Sequence, residues 1–437
     1  MTNSVNVRAI VLEILMQVLE EDQYSHLVIR DVLDKYQYLE KQERAFLTRL
    51  AEGCIEKKIQ LDYVINQFSK TPVKKQKPII RNILRMGVYQ LLYMDAVPDS
   101  AVCNEAVKLA KKRGLAQLSG FVNGVLRQIA RSRSEIVWPK ETDMPAYLEV
   151  HYAMPRWVIE LWLNSYGEER TRAILEAFEK QSPITVRTNL SQITTGELIT
   201  KLAAEGVVAH RNKRLDYALE LTNVDYIGRL ASFAEGDFYI QDISSMMVAE
   251  TAAPQNGDYI IDVCAAPGGK STHLAEMLQG SGMVEARDLT DYKVGLIRDN
   301  IARHGLTNMK AVQQDATVRD EASMEKADIL ICDLPCSGLG VMGKKTDIRY
   351  KMTPQKQQDL VRLQRQILDT VWGYVKPNGR LIYSTCTINP GENEENVQWF
   401  LQNHPEFALE SMEQMFPGEM GNDGFFIAGM KRNEHGQ

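Results

Sequence analysis

Apolar residues recur at helical spacing through the first 130 positions of the chain. Val7, Ile10, Val11, Ile14, Leu15, Val18 and Leu19 share one helix face. Ile79, Ile80, Ile83, Leu84, Val88, Leu91 and Leu92 share another, after a Pro78 suited to a first helical turn. Ser100 reads as an N-cap before a helix over 101–112, and Phe121, Val122, Val125, Leu126 and Ile129 mark one more. No alternating stretch interrupts this pattern, so an all-α bundle is expected. Two prolines and a polar run predict a linker over 131–147. Residues 148–237 mix helical stretches (157–164, 168–180, 195–205) with strand-like runs (184–189, 207–210), which predicts a small α+β connector over 145–237.

From 238 to 437 the rhythm is strand, glycine-bearing turn, helix. Strands are predicted at 259–263, 283–286, 309–313, 328–332 and 380–384, with a long helix from Thr353-Pro354 to Val375. Alternation of this kind implies an α/β domain with a mostly parallel sheet covered on both faces. Ligands on such sheets bind beyond the carboxyl ends of the strands.

Composition narrows the class. The chain has 437 residues, 44% apolar and 25% charged, ordinary for a globular protein and enough for about three domains. No apolar run approaches the ~18 residues of a membrane helix, and the first residues lack the basic start of a secretory signal. A cytoplasmic protein without a membrane partner is expected. Six cysteines are too few for a disulfide framework and read as thiols. The net charge of −6 argues, taken alone, against a nucleic-acid partner. It is an average. Residues 57–133 hold fifteen Lys/Arg against four Asp/Glu, a balance of +11 that leaves −17 for the rest.

The turn after the first strand of the α/β part is Asp262-Val263-Cys264-Ala265-Ala266-Pro267-Gly268-Gly269-Lys270-Ser271. A phosphate-cradling loop needs a glycine where Cys264 stands, and a dinucleotide fingerprint needs glycines spaced differently. An S-adenosylmethionine site fits better. Asp288, after the second strand, suits the ribose hydroxyls, and Asp315, after the third, suits the adenine amino group. A tight turn without a ligand is the competing reading. His273, on the new helix, reads as a surface residue near its cap.

Asp333 and Cys336 leave the buried strand 328–332 in the run DLPCSG, and Cys386 leaves the next in STCT. Cys54, Cys103 and Cys332 read as inert apolar residues. No metal is expected, because no Cys-x-x-Cys or close His pair exists. A thiolate beside a methyl donor suits methylation at carbon 5 of a pyrimidine. Addition of sulfur to C6 makes C5 nucleophilic, and an acid near N3, for which Asp333 is placed, stabilises the adduct. The target base must be unpaired or flipped out.

The runs DVCAAPGGKSTHLAE (262–276), DLPCSGLG (333–340) and YSTCTINPGENE (383–394) resemble motifs I, IV and VI of the RNA cytosine-5 methyltransferases of the Nol1/Nop2/Sun family. DGFFIA (423–428) is similar to that family's last strand, and 151–162, 183–190 and 238–245 resemble the segment before its catalytic domain. Residues 1–135 resemble NusB, an RNA-binding helical bundle. The resemblance implies a Rossmann-like S-adenosylmethionine-dependent methyltransferase domain behind a NusB-like bundle and the α+β connector. It implies that Cys264, Ala265, Ala266, Pro267, Gly268, Gly269, Lys270, Asp288, Asp315 and Asp333 contact S-adenosylmethionine, whose product is S-adenosylhomocysteine. Cys386 is then the nucleophile and Cys336 assists release. A Pro-Cys loop, as DNA cytosine-5 enzymes use, nominates Cys336 instead; the twelve-residue match of motif VI favours Cys386. The implied partner is 16S ribosomal RNA or an early small-subunit assembly intermediate, met by a monomer.

Two departures stand out. Glu285-Ala286-Arg287 is an unusual lead-in to Asp288, and Gly343-Lys344-Lys345-Thr346-Asp347 replaces an Arg-Arg-x-Pro-Asp pattern. Candidate RNA contacts are Lys108, Lys111, Lys112, Arg113, Lys344, Lys345 and Arg349. Cation runs are more often solvated faces than binding sites, but fifteen in one segment favour contact. The rival function is an RNA-binding assembly factor with a vestigial site, against which the pair Cys336 and Cys386 argues. A methyltransferase acting on protein or small molecules needs neither cysteine loop.

Overall fold

The computed structural model describes residues 6–180 and 183–434. They form two compact units. The first holds the chain up to Glu179 together with Lys344–Met352. It is helical, and its helices begin Val7–Leu19, Ser25–Lys35, Lys41–Glu56 and Lys58–Phe68. Pro78–Tyr93 runs through the centre and buries Ile80, Ile83, Leu84, Val88 and Leu91. Asp99–Lys112 starts one residue before the expected cap. Pro98 takes the N-cap position and Asp99 lies in the first turn, where its charge complements the helix dipole. Ser119–Arg131 buries Val122, Val125, Leu126 and Ile129 as its spacing predicts. Met144–His151 and Arg156–Glu179 complete the unit, the latter bent at Gly167. Trp162 and Tyr152 are core residues here.

Lys344–Met352 packs within this unit although it follows the Cys336 loop in sequence. Asp347, 1% exposed, accepts from Ser25 N (3.1 Å) and Ser25 Oγ (2.5 Å) at the start of Ser25–Lys35. A carboxylate there satisfies free N–H groups and meets the positive end of the dipole. Tyr350 donates its hydroxyl to Glu56 O at 2.7 Å.

The second unit carries two sheets. The smaller has strands β1 (Ile184–Thr188), β2 (Val208–Arg211), β3 (Ala218–Thr222) and β4 (Phe238–Ile240), in the order β2-β3-β1-β4 and antiparallel at each contact. The helix Thr195–Ala204 covers it through Leu198 and Leu202. The expected boundary at 238 is not a structural break: Phe238–Ile240 pairs with β1 and completes the small sheet.

The larger sheet has strands β5 (Tyr259–Asp262), β6 (Met283–Asp288), β7 (Met309–Gln313), β8 (Ala327–Asp333), β9 (Val375–Thr385), β10 (Phe407–Met415) and β11 (Phe425–Arg432). Their order is β10-β11-β9-β8-β5-β6-β7. β5 to β9 are parallel, and β11 runs antiparallel to both its neighbours. Side chains alternate across the pleat. Ile260, Ile329, Ile331 and Ile382 pack on one face, and Ile261, Leu330, Cys332 and Tyr383 on the other. The helix after Thr353 ends at Val371, short of the expected Val375, because the chain turns through Trp372–Tyr374 into β9.

Candidate active site

Register brings the chemistry to one edge. Asp262 pairs with Ala286 and Ile331, and Asp333 pairs with Ser384, so β5, β6, β8 and β9 end together. Asp288 is the last residue of β6, and the loops that leave β5, β8 and β9 carry the glycine turn, Cys336 and Cys386.

The glycine turn is held from below. Gly268 has φ +107°, a conformation that a side chain disfavours. Ala265 N donates to Arg287 O at 2.8 Å, Gly268 N to Ala265 O at 2.7 Å, and Ala266 N to Asp288 Oδ2 at 3.0 Å. Asp288 Oδ1 accepts from Leu289 N (2.8 Å) and faces Lys293 Nζ at 3.0 Å. Asp262, 1% exposed, accepts from Ser271 Oγ at 2.5 Å, and burial pushes its carboxyl up to about 7. Pro267 is exposed, whereas Cys264 is half-buried. Burial, then the charges of Asp262 and Asp288, push the Cys264 thiol well up, so it stays protonated. Asp315 Oδ1 accepts from Thr317 N and Oγ1, and those bonds hold its carboxyl below the usual range. Carboxylates beside an open turn suit a diol and an amino group. A phosphate would be repelled, so this set of acceptors fits the adenosyl part of S-adenosylmethionine.

Lys270 reaches further than a cofactor contact. Its Nζ lies 2.7 Å from Asp333 Oδ2, whose other oxygen accepts from Ser384 Oγ at 2.8 Å. Burial works against the ammonium, but Asp333 outweighs it and Cys386 adds to it, so the Lys270 pKa is raised. A positive charge therefore stands beside Asp333, and its interaction with Cys386 favours a thiolate there.

The two loop cysteines meet. Cys336 Sγ and Cys386 Sγ are 3.1 Å apart. The hydrogen bond to Cys386, then burial and nearby negative charge, push the Cys336 thiol well up. Gly340 N donates to Cys386 O at 3.1 Å, and Gly424 N donates to Gly340 O at 2.8 Å. A Cβ at Gly340 would lie 2.0 Å from Gly424 O, so only glycine allows this approach.

Three site features were not visible in the sequence as read. His273 is not a surface residue: it is buried, its ring sits edge-on to Tyr217 at 5.3 Å, and burial drives its pKa well below the usual value. Glu285 and Arg287 form a buried ion pair within β6, with Lys310 Nζ 2.7 Å from Glu285, which accounts for the lead-in to Asp288. Arg187, from β1, donates to Gly269 O at 2.8 Å and pairs with Glu276 on the helix that the turn begins. These two partners lie more than eighty residues away, beyond any local pattern.

The candidate RNA contacts lie in the first unit. Lys108, Lys111, Lys112, Lys344 and Lys345 are exposed, Lys108 within 2.7 Å of Glu105. Arg113 pairs with Glu13. Arg349 is corrected by the structure: it is 2% exposed and donates to Tyr152 O at 3.2 Å, so packing rather than RNA uses its charge. Arg81 and Arg85 are likewise committed, to Glu20 and Asp62, which lowers the cationic surface of the 57–133 segment. Among the described residues no group of His, Cys, Asp and Glu could hold a metal ion, and no helix is long and apolar enough to cross a membrane.

Comparison with known proteins follows the same division. The 16S rRNA methyltransferase RsmB/F family matches residues 249–431. The NusB family matches 5–131, and the ferredoxin-like domain of RsmF/B-like methyltransferases matches 154–225. The crystal structure of PH0851 superposes with a TM-score of 0.85 at 27% identity, covering 98% of this chain and 99% of that one. A probable ribosomal RNA small subunit methyltransferase B of Bacillus subtilis is 36% identical over 98% of this chain and 99% of its own length. One from Synechocystis is 33% identical over 98% and 100%. With helical bundle, ferredoxin-like sheet and methyltransferase sheet all matched in order across nearly the whole length, the chain belongs to the family of ribosomal RNA small subunit methyltransferases B.

Proposed function

We propose that the protein methylates carbon 5 of a cytosine in 16S ribosomal RNA, through a covalent bond between Cys386 and C6 of the base. The observation that carries this reading is the pair of thiols 3.1 Å apart at the strand ends, beside the Lys270–Asp333 pair. S-adenosylmethionine is the methyl donor and supplies, when bound, an electrophilic methyl group. Asp288, fixed by Ala266 N, and Asp315, fixed by Thr317 N, would hold its ribose and adenine, beside the backbone of Cys264–Gly269.

The chain's own groups do the rest. The Cys386 thiolate, favoured by Lys270, adds to C6 and forms the S–C6 bond. The electron pair displaced from C5=C6 spreads onto the ring, and N3 takes, through Asp333, the proton that the Cys386 thiol gave up. Once C5 carries the methyl group it gives up its proton to a base. The C5=C6 bond re-forms and Cys386 leaves as thiolate, with Cys336 assisting that elimination. Unpaired nucleotides are the favoured target, in free RNA or an assembly intermediate of the cytoplasm, and the protein acts as a monomer.

The direct test is transfer of tritiated methyl to unmodified small-subunit RNA, followed by bisulfite sequencing of ribosomal RNA from cells lacking the protein. Transfer to a cytosine that bisulfite then deaminates in those cells is the expected pair of results. Transfer to any other atom would sink the reading.

Two further outcomes follow from residue placement. Asp288→Asn puts an amide where Ala266 N, Leu289 N and Lys293 all need an acceptor. Its affinity for S-adenosylhomocysteine should fall about tenfold or more by calorimetric titration, roughly 1.4 kcal/mol; an unchanged affinity would remove Asp288 from the cofactor site. Reversing Lys108, Lys111 and Lys112 to Glu should weaken RNA binding and flatten its salt dependence by about 0.7 in log–log slope per lost contact. Cofactor affinity should not move. Unchanged RNA binding would make this helix end a plain surface.

A further inference from the structure

Glu392 lies six residues beyond Cys386 and is fully buried. It is a carboxylate with four donors aimed at it. Oε1 accepts from Ser337 N (2.8 Å) and Gln364 Nε2 (3.0 Å). Oε2 accepts from Ser337 Oγ (2.5 Å) and Asn389 Nδ2 (2.9 Å). Ser337 is the neighbour of Cys336, and Asn389 belongs to the loop that carries Cys386. Gln364, from the helix Pro354–Val371, also donates to Pro335 O at 2.9 Å and is held by Asn396 Nδ2 at 2.8 Å. Ser337 Oγ lies 2.8 Å from Thr387 Oγ1, which closes the link between the two loops. One acidic side chain thus gathers both cysteine loops.

We propose that Glu392 is the positioning residue that holds Cys336 against Cys386, and that it acts on release of the methylated base rather than on formation of the adduct. The inference rests on the C5-methylation reading, in which Cys336 assists elimination. A carboxylate is an acceptor on both oxygens. Glutamine at the same place turns one acceptor into an NH₂ facing Ser337 Oγ and Asn389 Nδ2, with no change of size. Ser337 can rotate to accept, but Asn389 cannot, so the link between the loops loosens while the core stays filled. The negative charge has a second consequence. It lies on the Cys336 side of the site and raises that thiol's pKa, whereas Lys270 lies on the Cys386 side. The pair is thereby sorted into one thiol and one nucleophile.

The experiment uses the full-length protein with Glu392→Gln, unmodified small-subunit RNA and labelled S-adenosylmethionine. Steady-state turnover should fall about tenfold, while the first turnover stays within about threefold of the parent. A denaturant-stable protein–RNA adduct should accumulate, as for loss of Cys336 itself. A merely structural role would lower both phases together, and that result, or no change in either, would overturn the proposal. A second readout does not need the reaction. Diamide takes one hydrogen from each thiol and joins Cys336 to Cys386, and Glu392→Gln should slow this joining about tenfold, because the thiols no longer rest in contact. If the parent forms no adduct under any condition, the C5 reading fails, and the diamide rate alone decides the position of Cys336. If Glu392→Gln does not fold, Ser337→Ala, which keeps the backbone donor and removes only the hydroxyl, must show the same pattern more weakly. Parent-like behaviour of that variant would overturn the proposal.

Discussion

Cys386→Ala should form no covalent complex with RNA and should lose methyl transfer by about 10⁴-fold or more, the scale on which removal of a nucleophile is felt. Cys336→Ala should do the reverse: the adduct forms, persists through denaturing electrophoresis, and turnover stops after one cycle. The structure supplies the reason for the asymmetry. Both sulfurs lie at the same strand edge, 3.1 Å apart, so distance alone does not separate them. Charge does. Lys270, whose ammonium is locked on Asp333, contributes to Cys386 and favours its ionised form. Cys336 is a donor or acceptor to Cys386 in a buried loop with Glu392 behind it, and its thiol is held protonated. A protonated thiol is a poor nucleophile. An adduct trapped with Cys386→Ala and absent with Cys336→Ala would exchange the two roles. No adduct with either variant would remove C6 addition from the mechanism.

How far the sequence carried this picture depends on whether the relevant partner was near in the chain. The bundle was legible because its apolar residues repeat every three or four positions, and Pro78–Tyr93 buries the stripe its spacing predicts. The parallel strands were legible as short apolar runs, and the acidic residues and cysteines just past them fall at one edge. β10 was not legible. It is an edge strand whose residues between Phe407 and Met415 are largely exposed, so it carries no apolar run. His273 was misread because one residue says nothing about what packs on it, and here Tyr217 does. Arg349 sits in a cationic run that looks like a surface, yet its segment packs among helices 197 to 322 residues earlier, which a local pattern cannot reveal. Lys270 was legible as part of the glycine turn but not as the partner of Asp333, sixty-three residues on.

Arg187 offers the largest expected effect on stability. It is 1% exposed, and its guanidinium meets Glu276 through Nη2 (2.9 Å) and Nε (3.2 Å), Thr272 Oγ1 (3.0 Å), Gly269 O (2.8 Å) and Gln241. Glu276 also faces His304 Nδ1 at 3.2 Å. Burial works to raise the Glu276 pKa, but Arg187 and His304 outweigh it and hold the carboxyl below its usual range. Arg187→Met leaves that carboxylate buried with its main partner gone, a change that costs about 3–5 kcal/mol. Arg187→Lys should recover little, because an ammonium lacks the fork that reaches acceptors on four residues. The sign of the pH effect is fixed. In the parent, the depressed Glu276 pKa contributes stability above the unfolded carboxyl value, and this is lost as pH falls through the folded value. In the variant the folded pKa rises, so the deficit is greatest at neutral pH and narrows toward pH about 4, as Glu276 takes up a proton. Arg187→Met with Glu276→Leu removes both charges and should regain most of the loss, since a buried ion pair is often no better than a packed apolar pair. Urea unfolding of the four proteins across that pH range measures all of this. A loss under about 1 kcal/mol in the single variant, or a double variant no better than the single, would show that the cluster does not carry the junction between β1 and the glycine-turn helix. Because Arg187 also grips Gly269 O, the folded single variant should bind S-adenosylhomocysteine more weakly than the parent, and the double variant should not recover that binding. Stability regained without affinity is the signature that separates the ion pair's effect on the core from its hold on the turn.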